Sequence, residues 1–170
     1  FEYIRVHPRD KLDVGYRLSR SGLAVAYGFQ NVTYLGPIIE NIAASADSSK
    51  VNVTYSNAAS PSIELRNPNG FEVRFFVSIN TYIYTIVTYK GMRAGKDVCS
   101  SNDTIWVAAP ASRIEGTSLS VSLTVPSSCV SKPLNGLRYL WHETPCLFKQ
   151  AAVYNSLDSD LPAPPYLYYF

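Results

Sequence analysis

The residues best suited to chemistry lie near the start of the chain, where His7 directly precedes Pro8 and Asp10 follows. A proline at the first helical position has the helical φ and wastes no hydrogen-bond donor, so the pattern predicts a helix with His7 at its N-cap. A neutral imidazole can take up and return a proton near physiological pH, and a helix N-terminus favours this neutral form. His7 is therefore the best candidate for a general base, although a structural cap is the commoner role for such a histidine.

A nucleophile for such a base is missing from the sequence, which has no Gly-x-Ser-x-Gly elbow and no Gly-Asp-Ser block. Any serine that His7 activates must lie on another chain. His142 and Cys146 are four residues apart and suggest thiol chemistry or half a metal site, but Pro145 breaks any helix between them and no further ligand cluster is near. Neither a metal site nor a cofactor is predicted.

Charge and hydropathy exclude several classes of partner. The net charge of +2 comes from scattered lysines and arginines, with no basic run of the kind that binds nucleic acid. No apolar stretch approaches the ~20 residues of a membrane-spanning helix. The chain begins with Phe1 and without a signal-peptide pattern, which predicts a processed product whose targeting signal belonged to a longer precursor.

Three glycosylation sequons indicate a secretory route, at Asn31, Asn52 and Asn102. Asn52 alternates with Val51 and Val53, and this period of two predicts a strand with Asn52 on its solvent face. We expect glycans on at least two of the three asparagines. The predicted compartment is lysosomal or extracellular.

Three cysteines fit the same route, with one bridge and one leftover thiol. We predict a bridge between Cys99 and Cys129, because folding residues 105–107 and 118–125 into a hairpin around Ile114 would bring the two cysteines opposite each other. Cys146 would then be free or joined to a partner chain.

The element that must position His7 is a predicted helix over residues 8–27. Its apolar stripe contains Val14, Leu18, Gly22 and Val25, and Gly28 ends it. Because glycine costs about 1 kcal/mol against alanine inside a helix, Gly15 and Gly22 suggest close approach of another element, in particular a sheet.

The remainder of the sequence predicts a β-rich region. Residues 38–46 with 51–55, and 63–66 with 71–76, are predicted to form two hairpins, and 118–125 is the clearest strand. Residues 78–96, rich in tyrosine, predict an extended hairpin. Residues 137–141 predict a strand with Tyr139 and Trp141 in the core, and the proline-rich residues 161–166 predict an extended tail across this or a neighbouring domain.

Several short motifs, in order, resemble the C-terminal portion of sialate O-acetylesterases, a branch of the SGNH-type serine hydrolases. They lie at residues 7–11, 14, 16–18, 24–28, 31–33, 36–37, 137–141 and 161–166. With gaps, the resemblance covers almost the whole chain. It implies that residues 1–36 are the last loop and helix of an α/β hydrolase domain, and that residues 37–170 form a β-rich, sandwich-like C-terminal domain.

The resemblance also implies a function. His7 would be the general base of an esterase that removes O-acetyl groups from sialic acids by a Ser-His acyl-enzyme route, with the serine on the N-terminal chain of the same precursor. Many members carry an aspartate two residues before the histidine, whereas Arg5 stands there in this sequence. Glu2, a backbone carbonyl or a group on another chain could orient the imidazole instead. The alternative is a non-catalytic β-sandwich binding module with a degenerate His-Pro motif.

Overall fold

The computed structural model describes residues 11–75 and 106–170, which contain one α-helix and ten β-strands. Helix α1 spans Leu12–Ser21 and continues as a π-helical turn, Gly22–Ala26. The strands are β1 (Ile39–Ala44), β2 (Lys50–Tyr55), β3 (Ile63–Leu65), β4 (Phe71–Phe75), β5 (Trp106–Ala108), β6 (Ala111–Arg113), β7 (Ser120–Thr124), β8 (Leu134–Tyr139), β9 (Val153–Asn155) and β10 (Tyr166–Tyr169). The predicted β-rich character is confirmed.

The strands form two antiparallel sheets of four and one pair. The first sheet has the order β1-β2-β7-β6, the second has the order β10-β8-β4-β5, and β3 pairs with β9. Side chains from all three contribute to one apolar cluster, as expected of a sandwich-like arrangement. This cluster is the hydrophobic core of the described chain.

The core is built from alternating positions on the strands. On β2, Val51, Val53 and Tyr55 are completely buried, while Asn52 between them is exposed. On β7, Val121 and Leu123 are buried in the same way. This period of two is what the sequence predicted for both strands, because one face of each contacts the core and the other contacts water.

Strand pairing differs from the prediction in two places. β1 and β2 form the expected hairpin, but β3 and β4 do not pair with each other, because β3 joins β9 and β4 lies between β8 and β5. β7 pairs with β6 rather than with β5, which belongs to the second sheet. The predicted hairpin of residues 105–107 with 118–125, on which the Cys99–Cys129 prediction rests, is therefore wrong. The turn at Gly116, which has φ +76°, connects β6 to β7 instead.

The proline-rich tail lies across this chain's own β-region, as one of the two expectations had it. Leu161 and Ala163 are buried, and the Ala163 N–H donates to the Val153 carbonyl at 2.9 Å. The tail crosses the segment around Gly36 so closely that a Cβ there would lie 1.9 Å from the Pro162 carbonyl oxygen. It then forms β10 on the edge of the second sheet.

Helix α1 begins at Leu12, with Lys11 at its N-cap and no side-chain cap bond. The α-helix itself ends at Ser21, but the predicted stop at Gly28 is confirmed for the whole helical segment, because the π-helical turn ends at Ala26 and Gly28 has a φ of +73°, in the left-handed region that glycine adopts at helix ends. The predicted start of the helix at residue 8, with His7 as its N-cap, is therefore wrong, because Lys11 is the N-cap and the helix begins at Leu12. The hairpin predicted at 78–96 lies outside the described residues.

Candidate active site and its anchoring

His7, Cys99 and Asn102 lie outside the described residues, so their predicted roles stay predictions. What the structure gives is the helix that follows His7. Leu12, the first residue of α1, is five positions further along the chain. The described residues therefore bear on His7 only through the contacts of this helix.

The polar face of α1 is anchored to the loop that follows β9. The Tyr16 hydroxyl donates to Asp158 Oδ2 at 2.9 Å, and Arg20 Nε lies 3.2 Å from the same oxygen. Arg17 Nε donates to the Asp160 carbonyl at 2.7 Å. Because Asp158 accepts this bond and carries charge beside the phenol, it raises the pKa of Tyr16.

A second anchor joins the start of α1 to the segment before β9. Lys149 Nζ lies 2.9 Å from Asp160 Oδ1 and 3.2 Å from Asp13 Oδ1. The bonds to Asp160 and then Asp13 raise the pKa of Lys149, so the ammonium stays charged. Asp13 is only 9% exposed, which makes it the buried residue of α1.

The apolar face of α1 is exposed. Val14 and Leu18 lie on this face, with Val25 on the π-helical turn that follows, and Leu18 is 66% exposed. Nothing lies within 4 Å of the place that a Cβ would take on Gly15 or Gly22. The close approach of a sheet is therefore wrong for the described residues of this chain, since its β-region contacts the opposite, polar face.

A second candidate site lies where β8 ends. Leu140 has φ +48°, in the left-handed region, and its N–H donates to the Gly70 carbonyl at 2.8 Å. The prediction that Tyr139 is in the core is confirmed, because its side chain is completely buried. The same prediction for Trp141 is wrong, because the turn at Leu140 leaves Trp141 48% exposed.

His142 beside this tryptophan is held by a chain of polar contacts. Its Nε2 lies 3.0 Å from Glu72 Oε2. Arg138 donates two hydrogen bonds to the same carboxylate, from Nε to Oε2 at 2.7 Å and from Nη2 to Oε1 at 3.0 Å. Its guanidinium carbon lies over Trp106, 4.6 Å from the ring centroid. Both Arg138 and Glu72 are largely buried, whereas the His142 side chain is 55% exposed.

The residues around His142 line an open cavity of about 340 Å³. The lining consists of Leu140, Trp141, His142, Glu143 and Pro165. Sequence reasoning missed this cavity. One feature of the sequence could have indicated it. The residues after Trp141 are polar, and the next position that would point inward on a continuing strand is not apolar, which favours a turn.

Cys146 does not join His142 in a thiol or metal site. It carries a free thiol, and burial raises its pKa, which disfavours the reactive thiolate. In residues 11–75 and 106–170, no group of three or more histidine, cysteine, aspartate or glutamate side chains is arranged to hold a metal ion.

Of the predicted glycosylation and disulfide residues, the structure describes Asn31, Asn52 and Cys129. Asn31 and Asn52 are both exposed, as a glycan acceptor must be. Cys129 is buried and disulfide-bonded, while the proposed partner Cys99 lies outside the described residues. In the described part of the chain, no helix is long and apolar enough to cross a bilayer.

Comparison with known proteins gives consistent matches. The sialate O-acetylesterase of Rattus norvegicus is 31% identical over 161 residues, which is 95% of this chain and 24% of the relative. The sialate O-acetylesterase of Homo sapiens is 30% identical over 162 residues, which is 95% of this chain and 25% of the relative. The chain thus spans about a quarter of the length of these curated relatives.

The fold also matches a solved structure. A carbohydrate acetylesterase from Xanthomonas citri superposes with a TM-score of 0.61 over 96% of this chain and 29% of that chain, at 23% identity. A family model described as the sialate O-acetylesterase C-terminal domain matches residues 40–170. The chain belongs to the family of sialate O-acetylesterase C-terminal domains.

Proposed function

We propose that this chain is the histidine-bearing C-terminal part of a carbohydrate esterase that hydrolyses O-acetyl esters of sialic acids. His7 is the general base, and the nucleophilic serine lies on the N-terminal chain of the same precursor. Residues 1–36 complete the α/β hydrolase domain of the SGNH type, and residues 37–170 form the β-rich domain.

The observation that carries this proposal is the orientation of α1. A ten-residue helix is marginal in water without a packed apolar face. Here the polar face is anchored by Asp158 and Lys149, while the apolar face with Val14 and Leu18 is exposed. Contiguous exposed apolar surface marks an interaction site. In the proposal, the hydrolase domain covers that face, and His7 lies on the loop that enters it.

In this mechanism the C-terminal chain supplies the general base and the N-terminal chain supplies the nucleophile. A neutral serine hydroxyl is a poor nucleophile, so His7 accepts its proton as the oxygen attacks the acetyl carbonyl. His7 then returns the proton to the departing sugar hydroxyl, which leaves an acetyl-serine. In the second half, His7 takes a proton from water, acetate is released and the serine is restored.

The group that orients His7 is part of the proposal. The imidazole needs a hydrogen-bond acceptor at its second nitrogen, so that the correct tautomer faces the serine. Arg5 is at the position where many relatives have an aspartate. Glu2, a backbone carbonyl or a carboxylate of the N-terminal chain supplies the acceptor instead.

The proposed compartment is the secretory pathway, with the mature protein in lysosomes or outside the cell. The exposure of Asn31 and Asn52 supports glycosylation of both, and a Cys99–Cys129 bridge belongs to the same oxidising route. Peptide mass mapping without reductant, before and after deglycosylation, tests the glycans and the bridge in one experiment.

The function is tested by acetate release from O-acetylated sialic acid. We expect neither chain alone to be active, and the assembled protein to be active. Replacement His7→Ala should lower the rate of the assembled protein by about a thousandfold or more, since the serine loses its base.

The matched control is Lys50→Ala, which removes an exposed side chain on β2. It should leave the rate unchanged, and all variants are compared at equal thermal stability. Full activity of His7→Ala would rule out the catalytic role of His7, even if the family assignment stands.

The second candidate function is a non-catalytic binding module. The exposed Trp141 beside an oriented His142 favours it, because such an open aromatic surface is typical of a binding site. An assembled wild-type protein that binds glycans but releases no acetate would establish this function in place of the first.

A further inference from the structure

We infer that the cavity at the end of β8 is a subsite for one uncharged pyranose ring, with Trp141 as the stacking surface and His142 as a hydrogen-bond acceptor. This inference rests on the proposed function in one respect, that the substrate is a glycan. It concerns the sugar next to the acetylated sialic acid, not the acetyl group.

The first argument is the exposure of Trp141. On strand β8, Leu137 and Tyr139 point into the core, and Trp141 would be the next residue on that face. The left-handed conformation of Leu140 ends this alternation, so Trp141 is exposed. A bulky residue with positive φ is an unfavourable conformation that persists where the surrounding structure holds it, and such residues cluster at ligand sites. The turn thus presents an indole to solvent.

The second argument is the fixed orientation of the His142 ring. Since Nε2 faces the Glu72 carboxylate at 3.0 Å, that nitrogen carries the proton in the neutral ring. The other nitrogen, Nδ1, is then an acceptor for a sugar hydroxyl. Glu72 cannot turn away, because Arg138 binds both of its oxygens and is itself stacked on Trp106.

The third argument is charge. Among the described residues that line the cavity there is no lysine or arginine, and Glu143 adds a carboxylate. Arg138 underneath is already paired with Glu72. An anionic sugar such as sialic acid would bring its carboxylate toward Glu143 without a compensating cation in the described lining, which is unfavourable. An uncharged pyranose fits, with its C–H face on the indole and its hydroxyls toward His142 and Glu143.

The size of the cavity agrees with a single ring. Its volume of about 340 Å³ is at the lower end of ligand sites, and because it opens widely to solvent it would contact the ring mainly on one side. One open aromatic surface with two acceptors gives weak binding, so we expect a dissociation constant on the order of 1 mM.

The test is equilibrium binding to the assembled protein, measured by saturation-transfer NMR and calorimetry. The probes are methyl β-D-galactopyranoside, methyl β-D-glucopyranoside, methyl N-acetyl-β-D-glucosaminide and free N-acetylneuraminic acid. We expect at least one neutral glycoside to bind more tightly than N-acetylneuraminic acid. Trp141→Ala should weaken that binding about tenfold or more, and Trp141→Phe should retain most of it.

Phe148→Ala is the control, because Phe148 is another exposed aromatic residue outside the cavity lining and its removal should not change binding. Equal affinity in the wild type and Trp141→Ala would overturn the inference, as would no binding of any neutral probe or tighter binding of N-acetylneuraminic acid. None of the probes carries an O-acetyl ester, so this result is scored independently of acetate release and of His7.

Discussion

Helix α1 and the β-region bury opposite kinds of surface. In the β-region, apolar side chains such as Val53 and Leu137 face the core and polar ones face water. In α1, the buried residue is Asp13, and Leu18 is exposed. In the described residues, the β-region therefore buries its apolar faces, whereas α1 has only its polar half in contact.

This difference shows why a helix must be judged by both of its faces. Charged groups at a surface contribute modestly to stability, because solvent screens them and ordering the side chains costs entropy. Several such contacts around Asp158, Asp160 and Lys149 suffice to fix the orientation of α1. They do not bury apolar area, which is the dominant favourable term in folding and association. The apolar half of α1 thus retains most of its capacity to bind.

The largest expected effect comes from truncating equivalent side chains in the two regions. Leu137→Ala removes a completely buried side chain and should lower the free energy of unfolding of the chain by about 2–5 kcal/mol. Leu18→Ala removes an exposed leucine from a helix, where alanine is at least as good a helix former, and should change it by less than about 0.5 kcal/mol. Urea unfolding measures both.

The stability effect of Leu18→Ala should also differ between the isolated chain and the assembled protein. There Leu18→Ala should become costly, because the hydrolase domain covers this face in the proposed assembly. A large cost of Leu18→Ala in the isolated chain would show that α1 packs its apolar face on this chain after all.

The polar anchor is tested by Asp158→Asn, which removes the charge that Tyr16 and Arg20 contact. We expect α1 amide protons to exchange on the order of tenfold faster, while those of β2 and β7 are unchanged. The pKa of Tyr16 should fall toward its ordinary value, because Asp158 is the main cause of its rise. Hydrogen exchange and NMR titration of the phenol provide the measurements. Unchanged exchange in α1 would mean that other contacts hold the helix.

Sequence reasoning predicted local features of the fold well. The alternation on β2 and β7 and the stop at Gly28 are visible within a few residues of sequence, because periodicity and glycine act locally. Pairing of β3 with β9 joins residues about ninety positions apart, so no short pattern contains it. The apolar stripe of α1 was also recognised, but a stripe does not tell which chain covers it.

The candidate sites show the same limit. Trp141 continues an apolar strand pattern, and its exposure depends on the turn at Leu140, a residue type that rarely has positive φ. The Glu72–His142 contact joins positions seventy residues apart. The role of His7 comes from resemblance to a family, and the described residues contribute only the orientation of the helix that follows it.

The smallest expected effect concerns a polar contact inside the β-region, at the turn between β1 and β2. Asp47 accepts hydrogen bonds from the Ser45 hydroxyl at 2.7 Å and from the Ser49 N–H at 3.0 Å. These bonds favour the carboxylate and lower the pKa of Asp47 to about 2, with Ser45 as the largest cause. The turn is solvent-exposed, so its effect on global stability is small.

The sign of the pH dependence follows from the lowered pKa. The folded chain binds the Asp47 proton less readily than the unfolded chain, so this stabilisation is complete above the ordinary pKa of about 4 and is lost as the pH falls through about 2. NMR titration of the Asp47 carboxyl carbon should give a midpoint near 2 in the wild type and a clearly higher one in Ser45→Ala. Thr117→Ala, a change at another turn, should leave the midpoint unchanged. A wild-type midpoint near 4 would mean that these hydrogen bonds are not formed in solution and that the turn contributes no pH-dependent stability to the β-region.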